Sequence, residues 1–197
     1  RKAIEINPNF ANDHLNLGII LKDLGNLKEA ELSLLKSIEL NPDIFNSHFL
    51  LGSILIEQKK IQEAERPFRK TIEIQPDFAN AHSNLGIILH DLGKLQEAES
   101  SLRKAIELKA DSADFNYNLG IILRDIGKLE EAEITTRKAI ELKPDFANAH
   151  SNLGNILSKI GKLHEAELSL RKAIEINPDL TQTYTSLGKV LKRLEEI

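Results

Sequence analysis

Residues 78–111, FANAHSNLGIILHDLGKLQEAESSLRKAIELKAD, decide the fold, because their landmarks return every 34 residues along the chain. Gly86 has counterparts at Gly18, Gly52, Gly120, Gly154 and Gly188, and Ala98 at Ala30, Ala64, Ala132 and Ala166. Pro76 is matched by Pro8, Pro42, Pro144 and Pro178, with Ala110 the one gap. A fixed period of this length is the mark of stacked repeats rather than of an ordinary globular domain. With Ala11, Phe45, Ala79, Ala113, Ala147 and Thr181 as position 1, full repeats occupy 11–44, 45–78, 79–112, 113–146 and 147–180. Partial repeats fill 1–10 and 181–197, so the expectation is a single array over 1–197.

Each repeat carries two helical patterns. Leu85, Ile88, Leu89 and Leu92 fall at i, i+3, i+4 and i+7, one apolar face of a helix. Asp77 is the expected N-cap, and Gly93 the expected left-handed stop. Leu95, Ala98, Leu102, Ala105 and Ile106 make a second stripe, ended by the next proline where one is present. The short polar turns between the halves make them antiparallel neighbours, and the fold class is all-α. Glycine inside a helix costs roughly 1 kcal/mol against alanine, so its return at Gly86 and its counterparts needs a packing reason. A close approach of the two helices at Gly86 and Ala98, with no side chain between them, supplies one.

Composition closes several functions. The chain has 197 residues, 41% hydrophobic and 28% charged, and a net charge of −4 with both signs interspersed. No basic face marks a nucleic-acid partner, and no apolar run approaches a membrane span. Without cysteine there is no disulfide framework and no thiolate metal site. That leaves the compartment open, with a cytoplasmic location as the expectation. Residues 1–8, RKAIEINP, repeat 171–178, so the chain starts inside the second half of a repeat and is expected to be a piece of a longer array. Leu187, Val190, Leu191 and Leu194 should then be partly uncovered, favouring end-to-end self-association.

No catalytic constellation is present, and neither an enzyme nor a cofactor is expected. His14, His48, His82 and His150 share one repeat position, so a helix pair separates neighbours by roughly two 8–10 Å spacings. Zn–N bonds are about 2 Å, so these residues read as interface packing rather than as ligands. Glu97 and Glu99 point to different helix faces, and there is neither a phosphate loop nor a nucleophile motif.

Small residues at positions 8, 20 and 27, leucine at 7 and 11 and proline at 32 resemble the tetratricopeptide repeat over the whole chain. The resemblance implies antiparallel helix pairs in a right-handed superhelix, an α-solenoid whose first helices line a concave groove. Three features depart from it. Position 4, often tryptophan or another aromatic in that family, is His14, His48, His82, Asn116, His150 and Tyr184 here. Thr136 replaces the apolar residue of position 24, where its hydroxyl is expected to bond back to its own helix. Pro67, inside a second helix, is expected to make a kink on the convex side.

The first helices also carry a polar stripe at positions 2, 6, 9 and 13, which share a face. Position 2 is Asn12, Asn46, Asn80, Asp114, Asn148 and Gln182, and position 6 is Asn16, Leu50, Asn84, Asn118, Asn152 and Ser186. Asparagine is a poor helix former, so its return has two readings: helix starts multiplied by duplication, or amides for the backbone of an extended peptide. AHSNLG at 81–86 and 149–154 is similar to the repeats of O-GlcNAc transferase, in which an asparagine ladder at this position holds peptide. Asn16, Asn84, Asn118 and Asn152 match that ladder, and Leu50 and Ser186 interrupt it. Phe49, Ile87 and Tyr117 add apolar contacts, and Asn155 an amide. Position 13 changes sign from Asp91 and Asp125 to Lys159, implying a partner basic toward the earlier repeats and acidic toward the last two. The lysine of a carboxylate clamp is missing at position 5. The expected function is a scaffold for a protein or peptide partner. The alternatives are the recognition arm of a larger enzyme such as a glycosyltransferase, or a spacer.

Overall fold

A computed structural model describes residues 9–196. These form eleven α-helices and no strand. Contacts gather the helices into two compact units, one ending at Leu108 and the other beginning at Lys109. No helix among the described residues is long and apolar enough to cross a membrane.

The first unit holds α1 (Ala11–Asp23), α2 (Leu27–Leu40), α3 (Phe45–Glu57), α4 (Ile61–Ile74), α5 (Ala79–Asp91) and α6 (Leu95–Leu108). They pair as hairpins α1–α2, α3–α4 and α5–α6, and α2 packs on α3 as α4 does on α5. The apolar stripes are the core: Leu85, Ile88, Leu89, Leu102 and Ala105 are all buried. The turn after α5 follows from Gly93, at φ +74°, where the Lys94 amide donates back to the Leu89 carbonyl at 2.8 Å. Lys59 occupies the same place after α3 at φ +63°, the one non-glycine residue with positive φ among those described. Asp77 does not cap α5. The helix begins at Ala79, one residue later than that cap requires, so Phe78 holds the N-cap position, without a side-chain bond.

Close approach at the repeated glycine is real, but a side chain does stand there. A Cβ built on Gly86 would lie 2.8 Å from Leu102 Cγ and 3.2 Å from the Ala98 carbonyl oxygen. At Gly52 it would lie 2.6 Å from the Phe68 ring. The glycine is the socket for the large residue at position 24. Pro67 is buried beside Phe68 rather than placed on the outer face, and α4 runs on through it. The Thr71 hydroxyl donates to the Pro67 carbonyl at 2.9 Å.

The second unit holds α7 (Ala113–Ile126), α8 (Leu129–Leu142), α9 (Ala147–Ile160), α10 (Leu163–Ile176) and α11 (Thr181–Glu195). Hairpins α7–α8 and α9–α10 are followed by α11, which packs on α10 and touches α9. Ser112 caps α7, its hydroxyl accepting from the Phe115 amide at 3.3 Å. Val190 is 1% exposed, contrary to expectation, because the preceding hairpin covers it through Leu153, Leu157 and Leu170. Leu187, Leu191 and Leu194 are half-buried, and a Cβ on Gly188 would meet nothing within 4 Å.

The position-4 histidines close the linkers. Nε2 of His48, His82 and His150 stands 2.8, 2.8 and 2.9 Å from the carbonyl oxygens of Pro42, Pro76 and Pro144. Outer-face ion pairs tie successive second helices within each unit. Glu65 binds Lys94 at 2.8 Å and Arg69 at 2.9 Å, and Arg69 reaches Glu97 at 2.6 Å. Glu133 repeats the pattern with Lys162 at 2.9 Å and Arg137 at 3.0 Å, and Arg137 reaches Glu165 at 2.8 Å.

Candidate functional site

In the first unit the polar stripe is an open surface. Asn12, Asn16, Asn46, Asn80 and Asp91 are exposed, Asn84 is half-buried and Ile87 is 37% exposed. Among the described residues, the amides of Asn16 and Asn84 have no hydrogen-bond partner. Phe49 is turned elsewhere, its ring edge-on to Phe68 at 5.7 Å and to Phe78 at 4.8 Å. The position-13 charges are partly spent as well, since Glu57 pairs with Lys22 at 2.7 Å.

In the second unit the same face folds into a cleft of about 280 Å³. Tyr117 and Arg124 come from α7, Asn148, Asn152 and Asn155 from α9, and residues 179–183 from the entry into α11. These three helices stand side by side because α9 touches both α7 and α11. Four of the predicted residues are therefore brought together, while Asn118, Asp125 and Lys159 stay outside the lining. Tyr117 packs against Phe146 at 4.8 Å between ring centroids, and burial pushes its hydroxyl pKa up against the opposing pull of the Arg124 charge. The hydroxyls of Ser151 and Thr183 share a hydrogen bond of 2.9 Å across the wall.

Three side chains under this cleft form a chain of bonds that the sequence reading missed. Arg124 Nη1 donates to Asn152 Oδ1 at 2.6 Å, and Asn152 Nδ2 donates to Thr136 Oγ1 at 3.2 Å. Thr136 is fully buried and Asn152 is 4% exposed. The Thr136 hydroxyl thus serves the neighbouring repeat and not its own helix, because the smaller side chain leaves room for the Asn152 amide beside it. Arg124 also holds Asp125, through Nε at 2.9 Å and Nη2 at 2.8 Å, so Asp125 is not a free acidic group. The legible signal was the pairing of a threonine at a large apolar position with an arginine one helix earlier.

Glycine-socketed helical hairpins with a polar face on their first helices define a helical repeat protein. Tetratricopeptide-repeat profiles match residues 1–31, 33–66, 77–145 and 147–180, and the chain belongs to that family. No curated protein matches the sequence. Among solved structures, YrrB, described as a TPR protein with an unusual peptide-binding site, is 25% identical. It aligns over 94% of this chain and 95% of its own, with a TM-score of 0.82. MamA is 23% identical over 87% of this chain and 94% of its own, at a TM-score of 0.78. PilF of Pseudomonas aeruginosa is 19% identical over 94% and 84%, at 0.80. The last two share the fold.

Proposed function

We propose that the chain is a peptide-binding scaffold whose principal site is the cleft of the second unit. One observation carries the reading: Tyr117, Asn148 and Asn155 stand round one cavity without hydrogen-bond partners among the described residues. Tyr117 and Asn155 are half-buried and need partners, Asn148 offers an exposed amide at the rim, and an extended backbone supplies donors and acceptors in alternation. The peptide-binding site reported for YrrB, the 25% identical neighbour, supports the same class of ligand. The amide-ladder form of the reading rests on Asn16, Asn84 and Asn118, because Asn152 is already committed to Arg124 and Thr136.

Panning a random dodecapeptide phage library against the wild type and against an Asn148→Ala/Asn155→Ala variant tests this. Enrichment on the wild type and its loss on a variant of unchanged melting temperature is the expected result. Equal enrichment on both chains would remove the cleft from consideration.

A further inference from the structure

The cleft lining has one charged group of each sign, half-buried Arg124 and exposed Asp179. Arg124 comes from the last turn of α7 and Asp179 from the segment entering α11, with α9 between those helices. Every other lining residue is neutral. Arg124 does not move freely, since Asp125 takes Nε and Nη2 and Asn152 takes Nη1. A guanidinium has five N–H donors, so one on each terminal nitrogen remains uncommitted. Thr136 fixes the far end of this arrangement: by accepting from Asn152 Nδ2 it leaves Asn152 Oδ1 to face Arg124. Asp179 is exposed, and its carboxylate has no partner among the described residues.

Resting on the peptide-binding reading, we infer that this cleft selects an extended segment with an acidic side chain over Arg124 and a basic one over Asp179. The order of the two charges fixes the direction in which the segment lies across α9. Arg124 and Asp179 are the specificity-determining residues, and Thr136 and Asn152 are positioning residues that act through Arg124. Ion pairs at such half-exposed sites change affinity by up to about fivefold each, so the charges choose among peptides that the neutral groups already hold.

The test is the composition of the enriched dodecapeptides, read on four chains. Wild type should enrich an acidic and a basic residue at a fixed separation. Arg124→Gln should lose the acidic preference and keep the basic one, and Asp179→Asn the reverse. Thr136→Val, which keeps the shape and removes the acceptor, should blur the acidic preference alone. A loss confined to one sign is not something misfolding can produce. Enrichment on the wild type with no charge preference, or with preferences that survive both neutralised variants, would overturn the inference and leave peptide binding standing. No enrichment on any chain would overturn both.

Discussion

Phe68 and Thr136 hold the same place in two hairpins, and the surface above each differs accordingly. In α3–α4 the Phe68 ring fills the socket at Gly52, and Asn84 in the following helix stays half-buried with no bond among the described residues. In α7–α8 Thr136 stands at Gly120, and Asn152 in the following helix is drawn inward to its hydroxyl. One core residue thus decides whether the amide of the next repeat stays at the surface or is spent inside. Core packing and the amide stripe meet at position 24.

The most severe way to break the comparison is to give the first unit the smaller side chain. Phe68→Thr removes a fully buried ring and leaves a cavity beside Gly52, at a cost of about 4 kcal/mol. Chemical denaturation should show that loss. A midpoint near wild type would mean that Asn84 can fill the space as Asn152 does, and that the sequence difference alone made the two hairpins unlike.

The socket itself comes next. Gly86→Leu forces a Cβ to within 2.8 Å of Leu102 and should cost about 3 kcal/mol by overpacking. Gly188→Leu, where nothing lies within 4 Å, should cost nothing and gain from helix propensity. Equal destabilisation by the two changes would show that the penalty belongs to the helix and not to the contact.

Thr136→Val sharpens the comparison from the other side. It keeps the volume and leaves Asn152 Nδ2 buried without its acceptor, which should cost about 1–2 kcal/mol. A double-mutant cycle with Asn152→Ala should recover most of that loss. Here the limits of the sequence become physical. The period, the helix pairs and the tight contact at the repeated glycine were legible, because each depends on one residue type returning at one spacing, whereas the position-24 side chain that fills that contact was not. Asp77 failed as a cap and Val190 as an uncovered residue because turn geometry and the cover from a neighbouring hairpin are three-dimensional. The Arg124–Asn152–Thr136 chain joins three helices, and no single helix pattern contains it. Asn148 and Asn155 were legible as part of the stripe and Tyr117 as an apolar contact beside it, but their meeting in one cleft with residues 179–183 was not.

The turn after α3 offers a smaller effect of opposite sign. Lys59 holds the left-handed conformation that glycine supplies after α1, α5, α7 and α9. Lys59→Gly should stabilise the first unit by about 1 kcal/mol, since the strain removed exceeds the freedom that glycine adds to the unfolded chain. An unchanged melting temperature would mean that the Lys60 amide bond to Leu55, 2.8 Å long, already absorbs the strain.

The smallest effect is the one that should be alike in both units. A hydrogen bond from Lys94 lowers the Glu65 carboxyl against burial, with Arg69 adding to it. At Glu133 burial pushes the carboxyl up, but the bonds from Lys162 and Arg137 outweigh it and leave it below its ordinary value of 4.5. A carboxyl lowered in the folded state binds fewer protons there than in the unfolded chain. Its contribution is complete above the unfolded value and is lost as pH falls below 4.5 through the folded one. Each cluster is rimmed by exposed lysine and arginine, so the loss is under about 1 kcal/mol apiece. Glu65→Gln and Glu133→Gln should therefore remove equal parts of the acid-limb slope in denaturation measured between neutral pH and pH 3. Unequal parts would extend the difference between the two units from the first helices of the hairpins to the second ones.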